Sequence, residues 1–163
     1  AFHLLKLDKQ DALRLAREFR LRMVLAGSIE SWLVARELAE ARVPVLVRPL
    51  QDIPSFDGLQ ARLDIATVLR QAGVEVIIAQ ADGGGDRDLR YVAGNAVRNG
   101  LSWDDALRSI TQAPAAAFGL TDRGTLEAGK VANVVIWSND PLDFAGHAEK
   151  VFISGKEDSP RTR

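Results

Sequence analysis

The chain has 163 residues and a formal net charge of −1, with 47% apolar and 26% charged residues, a composition typical of a globular protein with one good core. The near-neutral charge argues against a nucleic-acid partner or an anionic membrane surface, and no run approaches the roughly 20 apolar residues of a membrane span. The absence of cysteine excludes disulfides, thiolate catalysis and zinc–cysteine sites, but it leaves the localisation unknown, with a soluble protein of the cytoplasm or the periplasm expected.

Strand and helix patterns alternate along the first 100 residues. Short apolar runs predict four buried strands, each followed by a stretch with helical spacing, at residues 1–7, 22–27, 43–48 and 74–81. This alternation predicts an α/β fold with a parallel sheet and right-handed crossovers. Two architectures fit: a small doubly wound sheet that is complete in itself, or half of a (β/α)8 barrel, since a whole barrel needs about 250 residues.

The stretch from Ser102 to Gly119 predicts a helix with Ser102 as its N-cap and acidic residues in its first turn. Pro114 should kink or split this helix, because proline cannot donate the hydrogen bond of a helix interior. After Gly119, short alternating strands with glycine turns are predicted in the segments "GTLEAG", "ANVVIWS" and "KVFISGK". We therefore expect a domain boundary near residue 120 and a disordered tail at 157–163.

The segment "GLSWDDALRSITQAPAAAFGL", which continues into "DRGTLEAGKVANVVIWSNDPL" and "KVFISGK", has a distinctive spacing of glycine, proline and apolar residues. It resembles the amidohydrolase superfamily, in the branch that contains imidazolonepropionase-like enzymes, and the upstream helices resemble the same branch. Where the family pattern Gly-Lys-x-Ala-Asp ends in aspartate, this chain has Asn133. The change removes a charge but keeps a short side chain that is able to bond the main chain at a turn.

The resemblance implies a partial, TIM-like barrel. Four βα units at residues 1–119 would form the C-terminal half of the barrel, and residues 120–156 would supply strands of a small β-sandwich. In that family both chain ends build the sandwich, so the C-terminal strands would lack their N-terminal partners, and we expect this chain to be the C-terminal portion of a longer protein. Because open strand edges are costly, we also expect pairing with the missing N-terminal half or self-association.

The activity that the resemblance implies is metal-dependent hydrolysis of a C–N bond in a cyclic amide or a related amide. A divalent metal, with zinc expected, would polarise a carbonyl and lower the pKa of a bound water in the complete protein. His3 matches one metal-binding histidine of the family, and Asp82 matches the aspartate that is both ligand and proton shuttle. Another family histidine would fall at residues 26–28, where this chain has none. Because a divalent ion takes about four to six donors, the isolated chain is expected to be inactive and to bind no metal tightly.

Simpler interpretations of these residues remain open. His3 could be an ordinary strand residue, and Asp82 could cap a helix or a turn in the loop "DGGGD". That loop could also cradle a phosphate, but its two carboxylates and the lack of a phosphate-loop spacing argue against it. Arg87 and Arg90 could bind a substrate carboxylate, or they could pair with nearby aspartates or face solvent.

A second interpretation of the whole chain is a non-catalytic amidohydrolase-like paralogue or scaffold that has lost metal ligands. The missing histidine near Gly27 and the departure at Asn133 favour it. A His-x-His pair encoded upstream in the same gene would favour the enzyme instead.

Overall fold

A computed structural model of the protein describes residues 9–19, 21–26, 29–49, 61–80 and 89–158. Its first sheet has three parallel strands, β1 (Leu25–Ala26), β2 (Val45–Val47) and β3 (Val76–Ile78), which lie side by side in chain order. The predicted α/β fold with a parallel sheet is confirmed. The predicted strand at residues 1–7 lies outside the described residues.

Helices surround this sheet and follow it. Six are described: α1 (Lys9–Glu18), α2 (Ala35–Glu40), α3 (Ile65–Gln71), α4 (Leu89–Arg98), α5 (Trp103–Ile110) and α6 (Gln112–Ala117). A 3₁₀ turn, Ser31–Val34, leads into α2. Within the described ranges no helix is long and apolar enough to cross a membrane.

The core lies between the parallel strands and the helices that cover them. Val45, Val47 and the three residues of β3 are almost fully buried, as expected for parallel strands with both faces covered. Leu38 of α2 and Leu69 of α3 are completely buried against them. Burying a leucine side chain of this kind contributes about 1.5–3 kcal/mol, so the apolar pattern of the sequence is what holds these layers together.

Four helices end in the same way, with one residue in the left-handed region. At the end of α2 the N–H of Arg42 (φ 52°) bonds the carbonyl of Ala39, and the N–H of the next residue bonds the carbonyl of Leu38, both at 3.0 Å. This is the Schellman arrangement, in which glycine is the usual left-handed residue. Helices α3, α4 and α6 use glycine there, and α2 uses arginine; the glycines are Gly73, Gly100 and Gly119.

The long helix predicted from Ser102 onward is divided, as expected. The backbone leaves helical geometry at Thr111 (φ −126°, ψ −81°), between α5 and α6. Pro114 has no N–H to donate to the carbonyl of Ile110, and its ring would clash with that carbonyl, which accounts for the break one turn earlier. Ser102 caps α5, since its Oγ accepts a 3.1 Å hydrogen bond from the N–H of Asp105.

A second sheet follows α6, with three antiparallel strands in the order β4 (Val134–Trp137), β5 (Ala148–Ile153) and β6 (Lys156–Asp158). The turn between β5 and β6 has positive φ at Ser154 and Gly155. This is the backbone of tight hairpin turns. Asn133 bonds the main chain at this turn, since its Oδ1 accepts a 2.9 Å hydrogen bond from the N–H of Ser154.

Two predictions for this region are wrong. The segment "GTLEAG" forms turns and not a strand, because Gly124 (φ 94°) and Gly129 (φ 87°) both adopt left-handed backbone that a strand cannot include. Glu157 and Asp158 are not part of a disordered tail, because they belong to β6 and pair with β5. Residues 159–163 lie outside the described residues.

Candidate functional site

The carboxyl ends of the three parallel strands lie at one edge of the first sheet, which we call the carboxyl edge. β1 ends at Ala26, Arg48 and Pro49 follow β2, and Gln80 lies two residues beyond β3. Parallel α/β folds place their chemistry at this edge, because the loops that follow the strands converge there. A functional site is therefore expected at the carboxyl edge.

Three of the four predicted site residues lie outside the described residues, namely His3, Asp82 and Arg87. Asp82 follows Gln80 by two positions, so the chain leads directly from the end of β3 towards it. Ala26 occupies the end of β1, in the stretch 26–28 where the resemblance implies a histidine. The roles of His3, Asp82 and Arg87 stay predictions.

The described residues do not by themselves form a metal site. Within the described ranges no group of three or more histidine, cysteine, aspartate or glutamate side chains is gathered. The one histidine there, His147, is exposed, and its Nδ1 lies 2.9 Å from Ser138 Oγ. At the carboxyl edge Arg48 is a cation and Gln80 offers only an amide oxygen. A divalent ion held here would need His3, Asp82 and further donors.

Two polar residues at the carboxyl edge were missed by the sequence analysis. Arg48 and Gln80 are both half-buried, and both have interaction partners. Each is the first polar residue after an all-apolar strand, in "VPVLVR" and "VIIAQ". That position, where an apolar run ends on a polar residue, is the signal that could have identified them.

Arg90, the fourth predicted site residue, projects from α4 onto the loop between β4 and β5, residues 138–147. Its Nη1 donates hydrogen bonds to the carbonyls of Pro141 (3.1 Å) and Asp143 (2.7 Å). Its Nη2 donates to the hydroxyl of Tyr91, and the guanidinium lies 5.1 Å from the ring centre of Trp137. These contacts give Arg90 a structural role, and its binding of a substrate carboxylate stays a prediction.

The β4–β5 loop is docked on α4 and α5 by further contacts. Trp103 Nε1 donates to both carboxylate oxygens of Asp140, at 3.0 and 3.1 Å. Gly94 of α4 leaves room for the carbonyl oxygen of Leu142, which would be 2.3 Å from a β-carbon at that position. Leu142 itself is buried. The helix that follows the Asp82 loop is thus fastened to the second sheet.

Ion pairs hold α5 against the first sheet and α3. Arg108 donates two hydrogen bonds to the carboxylate of Glu75, at 2.8 and 3.0 Å, and the hydrogen bond to Glu75 raises the pKa of Arg108. Arg70 lies 2.7 Å from Asp105. Burial acts to raise the pKa of Asp105, but the hydrogen bonds from Ser102 and Arg70 outweigh it and lower that pKa. These pairs are structural, since both stabilise helix packing away from the carboxyl edge.

A groove of about 650 Å³ runs between α5 and β4, and we call it the helix–sheet groove. Leu107 and Ile110 of α5 form one wall, while Val134 and Val135 of β4 form the other. Consecutive strand residues point to opposite faces, so a groove that contacts both runs along an edge of the strand. Among the described residues β4 pairs only with β5, which leaves this edge unpaired.

The comparison with known proteins agrees with this geometry. The sequence model described as "Amidohydrolase family" matches residues 78–157, which run from the end of β3 to β6. The structure of an amidohydrolase from Thermotoga maritima superposes on 98% of this chain and 43% of its own, with a TM-score of 0.83 and 29% identity. Residues 78–157 of the chain therefore carry an amidohydrolase-family domain.

Two curated amidohydrolase relatives are similar over shorter stretches. An amidohydrolase of Hapsidospora irregularis is 40% identical over 57 residues, which are 34% of this chain and 6% of that protein. Adenine deaminase 1 of Carboxydothermus hydrogenoformans is 35% identical over 68 residues, which are 42% of this chain and 11% of that protein. This chain therefore spans a small part of the curated relatives that it matches and less than half of the Thermotoga protein.

A more distant solved structure shares the fold. It is a variant of atrazine chlorohydrolase from Arthrobacter aurescens in complex with zinc and atraton, with a TM-score of 0.65 and 21% identity, covering 96% of this chain and 42% of that one. Within the amidohydrolase family, none of these comparisons distinguishes the imidazolonepropionase-like branch, so that finer assignment stays a prediction.

Proposed function

We propose that this chain is the C-terminal portion of a metal-dependent amidohydrolase that hydrolyses a C–N bond in a cyclic amide or a related amide. The observation that carries the proposal is the likeness to the Thermotoga amidohydrolase, which extends over 98% of this chain at a TM-score of 0.83. It includes both sheets, so the family resemblance is not limited to one motif. The imidazolonepropionase-like branch is part of the proposal.

The proposed architecture is a partial TIM-like barrel at residues 1–119 with strands of a small sandwich at 120–156. Three consecutive parallel strands in chain order, each followed by a helical segment, are what one sector of such a barrel would contain. The antiparallel order β4-β5-β6 supports the second unit. The alternative of a small doubly wound sheet draws no support from the family model or from the likeness to the Thermotoga amidohydrolase.

For the chemistry, we assign His3 as a metal ligand and Asp82 as a ligand and proton shuttle. The bound ion, with zinc as the candidate because a fold neighbour holds it, would supply electrophilic activation of the amide carbonyl and of water. Asp82, placed just beyond β3 in the chain, would hold the proton that passes from water to the leaving nitrogen. Because the resemblance leaves this chain at most two of the family's metal ligands, we expect the isolated chain to be inactive.

The partner that we propose is the N-terminal half of the same fold, with self-association as the outcome when that half is absent. The edge of β4 beside the helix–sheet groove pairs with no described strand, and this supports the proposal, because an added strand could pair with the edge and place side chains in the groove. Leu126 is 82% exposed at that groove, and Ile136 is 44% exposed on β4. Covering them would remove apolar surface from water.

The test uses the product of the complete open reading frame that contains this chain. We expect bound zinc by elemental analysis, and hydrolysis of at least one compound from a panel of cyclic amides together with adenine. Asp82→Asn should lower kcat by at least about a hundredfold, whereas Asp86→Asn, in the same loop, should retain activity. Full activity in Asp82→Asn would contradict the assigned role, and a product without zinc or turnover would contradict the proposed function.

The second candidate function is a non-catalytic amidohydrolase-like scaffold. It is favoured by Ala26 at the end of β1, in the stretch where the resemblance implies a histidine. The same experiment separates the two proposals. A scaffold should fold with no bound zinc and no turnover, and its stability should be the same after Asp82→Asn.

A further inference from the structure

A second cavity lies at the opposite end of the first sheet from the carboxyl edge. It has a volume of about 470 Å³, within the range of about 300–1,000 Å³ that is usual for small-molecule sites. We call it the amino-end cleft. Met23 precedes β1, Val43 precedes β2, and Ala116 and Phe118 belong to the end of α6; all four line it. The proposed hydrolase chemistry makes no use of this cavity.

The charged side chains that line the amino-end cleft are Arg22, Arg42 and Glu75. The carboxylate of Glu75 is taken up by the two hydrogen bonds from Arg108, so its charge is already balanced. Arg22 makes one long contact of 3.4 Å with the carbonyl of Ala116. The exposed side chain of Arg42 has no hydrogen bond or ion pair with any described residue. Among the described residues, neither Arg22 nor Arg42 in the cleft has an anionic partner.

The backbone of Arg42 is a second, independent sign of a binding role. Arg42 (φ 52°) is the left-handed residue that ends α2, at the position where α3 has Gly73 (φ 87°). The hydrogen bonds of the two turns match, with Val43 N–H to Leu38 at 3.0 Å and Val74 N–H to Leu69 at 3.0 Å. Glycine adopts this backbone without strain, whereas a side chain does not. Strain kept at a non-glycine residue beside a cavity is common at ligand sites.

The geometry points to a binding site for a small amphipathic carboxylate in the amino-end cleft, with the anion on Arg22 and Arg42 and the apolar body against Met23, Ala116 and Phe118. A planar guanidinium fork matches the two oxygens of a carboxylate. Phe118 is 52% exposed, so it offers apolar surface that a bound alkyl or aryl group would cover. A strongly hydrated inorganic anion would leave the apolar surface of Met23, Ala116 and Phe118 exposed to water. For that reason we assign a carboxylate with an apolar body.

The test is calorimetric titration of the 163-residue chain with octanoate and, separately, with inorganic phosphate. Octanoate should bind at one site, and phosphate at least about tenfold more weakly. Arg42→Gly should weaken octanoate binding by at least about tenfold, because it removes a charge-assisted hydrogen bond, yet its melting temperature should stay the same or rise, because glycine relieves the backbone strain. Arg36→Ala, an exposed arginine on α2 outside the cleft, should bind octanoate as the unmodified chain does.

Amide chemical shifts locate the bound octanoate. Shifts at Arg42, Val43 and Gly119 support the assignment, whereas shifts confined to the helix–sheet groove overturn it. The proposal is also overturned if the unmodified chain does not bind octanoate, if phosphate binds equally well, or if Arg42→Gly binds octanoate without loss. Arg22→Gln, which leaves the α2 turn untouched, provides the same affinity comparison if Arg42→Gly does not fold.

Discussion

Arg90 on α4 donates a 2.7 Å hydrogen bond to the carbonyl of Asp143, a residue 53 positions further along the chain. With the bond to Pro141, this contact joins the helix behind the Asp82 loop to the β4–β5 loop of the second sheet. The guanidinium of Arg90 thus binds main-chain carbonyls of the β4–β5 loop and, together with apolar packing, holds α4 against the second sheet.

The first prediction concerns this contact. Arg90→Ala should lower the free energy of unfolding by about 1–3 kcal/mol, the usual range for hydrogen bonds to a charged group. Arg90→Lys should recover only part of the loss, since an ammonium cannot match the planar fork that reaches two carbonyls. Urea unfolding measures both, with Arg14→Ala on the exposed face of α1 as the control that should change little. An effect of Arg90→Ala no larger than that of Arg14→Ala would contradict the structural role.

The second prediction concerns the close approach at Gly94. A β-carbon there would lie 2.3 Å from the carbonyl oxygen of Leu142, so Gly94→Ala must push the β4–β5 loop off α4. In an open helix the same change would be favourable by about 1 kcal/mol, but here we expect destabilisation of about 1–3 kcal/mol. Asn95→Ala on the same helix should stay within about 0.5 kcal/mol. Thermal melts of both variants decide the matter, and a stabilised Gly94→Ala would show that the loop is not docked as described.

The third prediction concerns acid stability. The pKa of Asp105 is lowered from its ordinary value of 3.8, because the hydrogen bonds from Ser102 and Arg70 outweigh the effect of burial. A lowered folded-state pKa contributes stability that is present above the unfolded pKa and is lost as the pH falls through the folded pKa. Asp105→Asn should therefore be less stable than the unmodified chain at pH 7, by about 1 kcal/mol, with the difference shrinking below about pH 4.

Urea unfolding at several pH values between neutral and acidic tests this expectation. Asp104→Asn is the matched control, because Asp104 lies in the same first turn but is exposed. A difference between Asp105→Asn and the unmodified chain that is constant with pH would mean that Asp105 acts through packing and not through its charge.

The fourth prediction compares two buried hydroxyls. Ser31 and Ser109 are 0% and 1% exposed, but Ser109 Oγ donates to the carbonyl of Ala106 at 2.6 Å, whereas Ser31 Oγ has no partner in the described part of the chain. An unpaired buried hydroxyl has lost its water without compensation. Ser31→Ala should thus be neutral or stabilising by up to about 1 kcal/mol, and Ser109→Ala destabilising by about 0.5–1.5 kcal/mol. Chemical denaturation measures the stability of both variants. A larger loss of stability in Ser31→Ala than in Ser109→Ala would contradict the prediction.

Part of the candidate site could be predicted from the sequence. The lack of a histidine at the end of β1 could be read from residues 26–28. The position of the carboxyl edge could be inferred from the pattern of parallel strands. Arg90 was named from its place in the chain, but its contacts with Pro141 and Asp143 could not be foreseen, because nothing local relates residues that far apart. For His3, Asp82 and Arg87 the sequence remains the source of the assignment.

Local sequence determined the elements themselves. Apolar runs specified three parallel strands, Ser102 specified the start of α5, and Pro114 specified its division from α6, because each effect acts within about one helical turn or strand. The family could likewise be recognised from the spacing of glycine, proline and apolar residues after Gly100.

Only the tertiary structure decided which side chains meet. It set Gly94 against Leu142 and placed Arg22 and Arg42 around one cleft. The physical reason is that these features depend on packing between segments that are distant in the chain, where the burial of one surface by another selects the backbone and overrides local preference.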